Sequence, residues 1–83
     1  MSHNNLGAAL AQAGRYAEAE AEFRAAAVLS PRFVDARANL GMLYLRQRRF
    51  DEAVPLLRDA LALDPTRRAV QDNLDRALAR RAL

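Results

Sequence analysis

An Asn-Leu pair stands at Asn5-Leu6, again at Asn39-Leu40 and again at Asn73-Leu74, 34 residues apart each time, and the first two copies continue into Gly7 and Gly41. No other feature of the chain narrows the fold as much. A unit of 34 residues is too short to enclose a core of its own, so the next copy must cover its apolar face. Stacked pairs of helices are one of the few arrangements with that repeat length. Such a stack acts through the surface it presents rather than through a deep pocket.

Composition agrees with helices. The 83 residues include only three glycines and three prolines, set against abundant alanine, leucine and arginine, which are good helix formers. With 52% hydrophobic and 28% charged residues the chain suits one small globular domain. The absence of cysteine excludes disulfides and thiolate metal sites. No apolar stretch approaches the ~18 residues a membrane span needs, and the N-terminus lacks a signal-peptide pattern, so a soluble, cytoplasmic chain is expected. All thirteen basic residues are arginine and face ten acids, a net charge of +3. Arginine stays protonated at every accessible pH, so a modest excess lifts the sequence pI to about 10.5 without creating a strong field.

Helical spacing predicts five segments. Leu6, Ala9, Leu10 and Ala13 form a stripe over about 3–13, closed by Gly14-Arg15, and Ala19, Phe23, Ala26 and Ala27 form a second over about 17–29. Further helices are expected over about 32–47, 51–63 and 66–81. Ser30 is read as the cap of the third helix with Pro31 in its first turn, and Asp64-Pro65 as the same device before the fifth. Pro55 falls close enough to the start of the fourth helix to be tolerated.

These residues resemble the tetratricopeptide repeat family. The first copy reads Leu6, Gly7, Leu10, Ala19, Phe23, Ala26, Pro31, and the second Leu40, Gly41, Tyr44, Ala53, Leu57, Ala60, Pro65. The resemblance implies an all-α, right-handed superhelical solenoid of antiparallel helix pairs. It divides the single domain 1–83 into a repeat at about 1–33, a second at about 34–67 and a capping helix at about 66–81. Small residues at Gly7, Gly41, Ala19 and Ala53 suit a close helix crossing, which Leu10, Tyr44, Phe23 and Leu57 would flank. The chain departs from the pattern at His3 and Arg37, where tryptophan is common, at Leu10, and at Arg48, which takes the turn position of Gly14. Asp75 replaces the glycine of the third copy and suits a closing helix with a wet outer face. The opening helix starts part-way through its pattern, as in a fragment of a longer protein.

The family presents its first helices along a concave groove, which implies that Asn5, Asn39 and Asn73 share one inward position on successive helices. Amides there can hydrogen-bond the backbone of an extended peptide, or can tie neighbouring helices together. Next along the same face come Ala8, Met42 and Arg76, then Gln12, Arg46 and Arg80, so the groove should grow basic toward the C-terminal side. Arg46, Arg76 and Arg80 suit an acidic stretch or a terminal carboxylate. The family's clamp for chaperone C-termini keeps only Asn39 here, because Ala8 and Ala69 stand where it needs polar groups.

The reading is a non-catalytic module that binds a protein or peptide, with an acidic partner preferred, through Asn5, Asn39, Met42, Arg46, Asn73, Arg76 and Arg80. No cofactor, metal or membrane is implied. His3, the sole histidine, has no sequence neighbour that suggests a triad, and no glycine-rich phosphate loop exists. Two alternatives stand beside it. The chain could self-associate as a homo-oligomer through Ala8, Ala9 and Ala11, since two repeats fall below the ~3 usually needed for stability. The pairs Arg48-Arg49, Arg67-Arg68 and Arg80-Arg81 could meet nucleic acid, although aromatic residues are not interleaved with them.

Overall fold

The computed structural model describes residues 2–29 and 34–82. They form α1 (His3–Gln12), α2 (Tyr16–Leu29), α3 (Val34–Arg46), α4 (Phe50–Leu63) and α5 (Arg68–Arg81), and no strand. Each helix lies within two residues of its sequence expectation. The expected Ser30 cap and Pro31 first turn lie outside the described residues. No helix of the described chain is long and apolar enough to cross a membrane.

Helices pack in the order of a stack. Contacts join α1 to α2, α3 to α4 and α4 to α5, and α2 bridges to α3. The first helix of each unit also touches the next one, α1 to α3 and α3 to α5, whereas the backbones of α2 and α4 do not approach each other closely. One layer is therefore closed and the other splayed, which curves the array with α1, α3 and α5 on the inner side. The shortest dimension, 17 Å, is that of two helix layers.

The glycines explain the crossings. A Cβ at Gly7 would lie 2.6 Å from the Phe23 ring, and one at Gly41 2.9 Å from Leu57, so in both units the aromatic or leucine side chain occupies the space that glycine vacates. Ala19 and Ala53 are fully buried at the same crossings. Around them Leu40, Leu43, Tyr44, Val54, Ala60, Val70, Leu74 and Ala77 join one core. Truncating Leu57, which has no exposed surface, removes contacts worth about 2–5 kcal/mol.

The faces of α1 differ from the expected ones. The stripe Leu6, Ala9, Leu10, Ala13 is not the buried face of α1: Gly7 is buried, Ala8, Leu10 and Ala11 pack on the core, and Ala9 and Ala13 are exposed. Leu6 is 37% exposed while its equivalents Leu40 and Leu74 are 5% and 7%, because among the described residues no helix covers its outer side. The same rotation separates Ala8 and Ala11, on the inner side, from Ala9, so the three do not form one free face.

Asp64 and Pro65 do not begin α5. Asp64 ends α4, and its carboxylate accepts from the Thr66 amide (3.2 Å) and hydroxyl (2.6 Å), closing a turn that contains Pro65. The helix starts three residues later, after Arg67, which has no side-chain capping bond. Pro55 sits in the second turn of α4 rather than the first, yet the helix runs unbroken to Leu63. The donor it lacks would have bonded the carbonyl of exposed Asp51, which water can reach.

The two turns inside the repeats share one geometry. After α1, the Arg15 amide donates to the Leu10 carbonyl (2.9 Å) and the Gly14 amide to Ala11 (3.0 Å). After α3, the Arg49 amide donates to Tyr44 (2.9 Å) and the Arg48 amide to Leu45 (3.0 Å). Both pairs are the Schellman closure, whose key residue adopts a left-handed backbone. Gly14 does so at φ 80° and Arg48 at φ 62°.

Candidate functional site

The inner layer carries two adjoining clefts. Between α1 and α3 a narrow one is lined by Ala8, Ala11, Gln12, Asn39, Met42 and Arg46, with Phe23 and Leu43 at its floor. Between α3 and α5 a larger cleft of about 430 Å³ is lined by Met42, Leu45, Arg46, Arg48, Asn73, Arg76 and Arg80. The 34-residue register accounts for both sets, because Ala8, Met42 and Arg76 take one position on successive helices and Gln12, Arg46 and Arg80 the next turn. Positive charge rises along the layer from one arginine in the first cleft to four in the second.

Five of the seven sequence-predicted residues, Met42, Arg46, Asn73, Arg76 and Arg80, thus meet at the larger cleft, and Asn39 at the smaller. Asn5 is exposed and lines neither. The side chain that reaches the second asparagine belongs to Asn4: its Oδ1 accepts from the Asn39 amide at 3.0 Å. That bond ties α1 to α3, and among the described residues the Asn39 side-chain carbonyl oxygen accepts no hydrogen bond. Asn73 makes no side-chain hydrogen bond among the described residues and is half-buried in the cleft wall. Leu45 and Arg48 were not singled out as site residues; the register missed Arg48 because it sits in a turn rather than on a helix.

None of Arg46, Arg48, Arg76 and Arg80 forms an ion pair among the described residues, and no carboxylate lines their cleft. Several arginines elsewhere are engaged, whereas Arg58 and Arg68, exposed on α4 and α5, make no ion pair among the described residues. Arg49 forks onto Glu52 (2.9 and 2.6 Å), reaches Glu20 across the repeat boundary (3.0 Å) and lies 4.3 Å over the Tyr44 ring. Arg15 forks onto Glu18 in the same way one period earlier (2.8 and 2.7 Å). Arg24 donates to the Tyr44 hydroxyl at 2.8 Å, and Arg67 links Asp35 to Asp64. The fork from Arg49 holds the Glu52 carboxyl below its ordinary range, and the Tyr44 hydroxyl, then Glu20, hold Arg24 more firmly protonated.

His3 has a partner that sequence adjacency did not reveal. Its Nδ1 lies 2.5 Å from a Glu22 carboxylate oxygen, joining α1 to α2 on an exposed edge. Among the described residues no third side chain is hydrogen-bonded to this pair.

Residues 4–68 match the profile of the family described as Tetratricopeptide repeat, which is most of the chain. The chain belongs to the tetratricopeptide repeat family. Repeats of this family are generally protein–protein interaction modules and typically non-catalytic. No curated protein matches the chain.

Proposed function

We propose that this chain binds an extended, acidic segment of a partner protein along the inner layer, through Asn39, Met42, Arg46, Asn73, Arg76 and Arg80, and that it catalyses nothing. The observation that carries the reading is the cleft between α3 and α5, where arginines without partners meet and no acid lines the wall. Exposed arginines with nothing to pair are a field for a carboxylate, and the guanidinium fork adds direction to the attraction. Asn39 and Asn73 offer amide groups to a peptide backbone, which suits an extended segment, because a helix has already satisfied its own. Met42 supplies an adaptable apolar contact between the two clefts.

The larger cleft has no aromatic side chain in its lining, so it offers bases nothing to stack on and favours a peptide over single-stranded nucleic acid. A groove made by three helices covers less than the ~1,200 Å² of a standard interface, which predicts weak, exchangeable binding.

The test is a fluorescence anisotropy titration of the 83-residue chain with dye-labelled hexaglutamate and with its hexaglutamine counterpart. Hexaglutamate should bind more tightly, and Asn39→Ala combined with Arg46→Ala should weaken it at least about tenfold, the equivalent of one charged hydrogen bond. Unchanged affinity in the double variant would place the site elsewhere. Equal or tighter binding of an oligouridylate, with a steep loss as salt rises, would instead favour nucleic acid.

A further inference from the structure

Arg48 has a backbone that suits glycine and a side chain the fold does not use. It takes the left-handed position of the α3–α4 turn at φ 62°, where the equivalent turn has Gly14 at φ 80°. A side chain with a Cβ is disfavoured in that region, and arginine has no short polar group to bond its own backbone and soften the strain. Its neighbour Arg49 makes the contacts that hold this corner together. Arg48 itself is exposed and makes no ion pair or side-chain hydrogen bond among the described residues.

What Arg48 does is join two clefts. It lines the 430 Å³ cleft with Arg46, Arg76 and Arg80, and with Arg80 it also lines an adjoining one of about 330 Å³ beside the start of α4. The second cleft contains Asp51 and Glu52, but Arg81 lies 3.7 Å from Asp51 and Arg49 forks onto Glu52. Arg48 and Arg80 are therefore the uncommitted charges of that wall, and they continue the basic strip around the turn.

We infer that Arg48, with Arg80, determines specificity by receiving a second acidic side chain of the partner segment, beyond the one taken by Arg46 and Arg76. The inference rests on the reading of the inner layer as an acidic-peptide groove. One carboxylate is satisfied by one or two forked donors, so four uncommitted guanidinium groups call for at least two acids. Alternate side chains of an extended segment lie about 6.6 Å apart on one side, so such a segment presents its acids in series along two adjoining clefts that share Arg48 and Arg80. Strain kept at a residue that the fold leaves idle is the pattern of a functional position.

The experiment compares Arg48→Gly, Arg48→Lys and Arg46→Ala in the 83-residue chain, each by thermal melting and by anisotropy with dye-labelled hexaglutamate and hexaglutamine. Arg48→Gly should raise Tm by about 4 °C while weakening hexaglutamate about tenfold. Arg48→Lys, which keeps the charge and the strained backbone but loses the fork, should leave Tm unchanged and weaken binding about threefold. If Arg46→Ala weakens hexaglutamate and Arg48→Gly does not, the groove stands and the role of Arg48 is overturned. A fall of Tm in Arg48→Gly would show that the turn needs the arginine for structure, which also overturns it. If the unaltered chain binds hexaglutamate no better than hexaglutamine, the groove reading itself fails.

Discussion

Arginine does two different jobs on the two sides of this molecule. At the turns and across the repeat boundary Arg15, Arg24, Arg49 and Arg67 are forked onto carboxylates or bonded to the Tyr44 hydroxyl, and two of these links, Arg49 to Glu20 and Arg67 to Asp35, join elements about one repeat apart in sequence. In the cleft between α3 and α5, Arg46, Arg48, Arg76 and Arg80 meet no acid. The residue type is the same and the net charge of the chain is a modest +3, so the difference lies in where the ten acids stand. Glu20, Glu22, Asp35 and Asp51 pair between elements of the stack, and no acid lines the cleft between α3 and α5. Under the proposed function, charge left unpaired on one layer would direct binding without a deep pocket.

The strongest way to break the comparison is to break both sides at once. Gly41→Val places branched carbon where a Cβ already approaches Leu57 to 2.9 Å, and should cost about 2–3 kcal/mol, enough to melt much of this small array and abolish binding with it. Circular dichroism melting reads the outcome. Arg46→Ala with Arg76→Ala should separate the sides: hexaglutamate affinity falls about 100-fold by anisotropy, while Tm stays within about 2 °C. Arg49→Gln is the converse variant. It removes the links to Glu20, Glu52 and the Tyr44 ring, and should lower Tm by a few degrees while hexaglutamate affinity changes less than about twofold.

The smallest effect is on pH dependence. The Arg49 fork depresses the Glu52 carboxyl below its ordinary value of 4.5, and the Thr66 hydroxyl and amide, then Arg67, depress Asp64 below 3.8. Groups with depressed folded values contribute their stability in full above the unfolded values and lose it as pH falls through the folded ones. Melting curves should therefore show no contribution from either group to a change in Tm between pH 5 and 8, and a fall below about pH 4. In Arg49→Gln the part of that fall due to Glu52 should flatten.

Much of the fold was legible because the period is a physical constraint repeated. Gly7 opposite Phe23 and Gly41 opposite Leu57 are one crossing made twice, and a step of 34 residues carried Ala8 and Gln12 onto Met42 and Arg46 and then onto Arg76 and Arg80. Apolar spacing alone did not reveal the buried face of α1, although the repeat pattern placed Gly7 and Leu10 at the crossing. Alanine occupies positions 8, 9, 11 and 13, so apolar spacing has no contrast with which to choose the buried side. Asp64-Pro65 was ambiguous for another reason: an aspartate before proline suits both a helix cap and a turn, and the Thr66 hydroxyl decided for the turn. Links such as Arg49 to Glu20 and His3 to Glu22 come from stacking and have no local spacing to betray them. The larger cleft was assembled from helix register, which is why Arg48, in a turn, was overlooked as part of it.

If a partner binds at the uncommitted arginines of α3, its closing turn and α5, amide chemical shifts of the ¹⁵N-labelled chain during titration with unlabelled hexaglutamate will map the contact. Shifts concentrated at residues 42–48 and 73–80, and absent with hexaglutamine, are the predicted result. Shifts concentrated on α2 and α4, or the same pattern with both peptides, would contradict it.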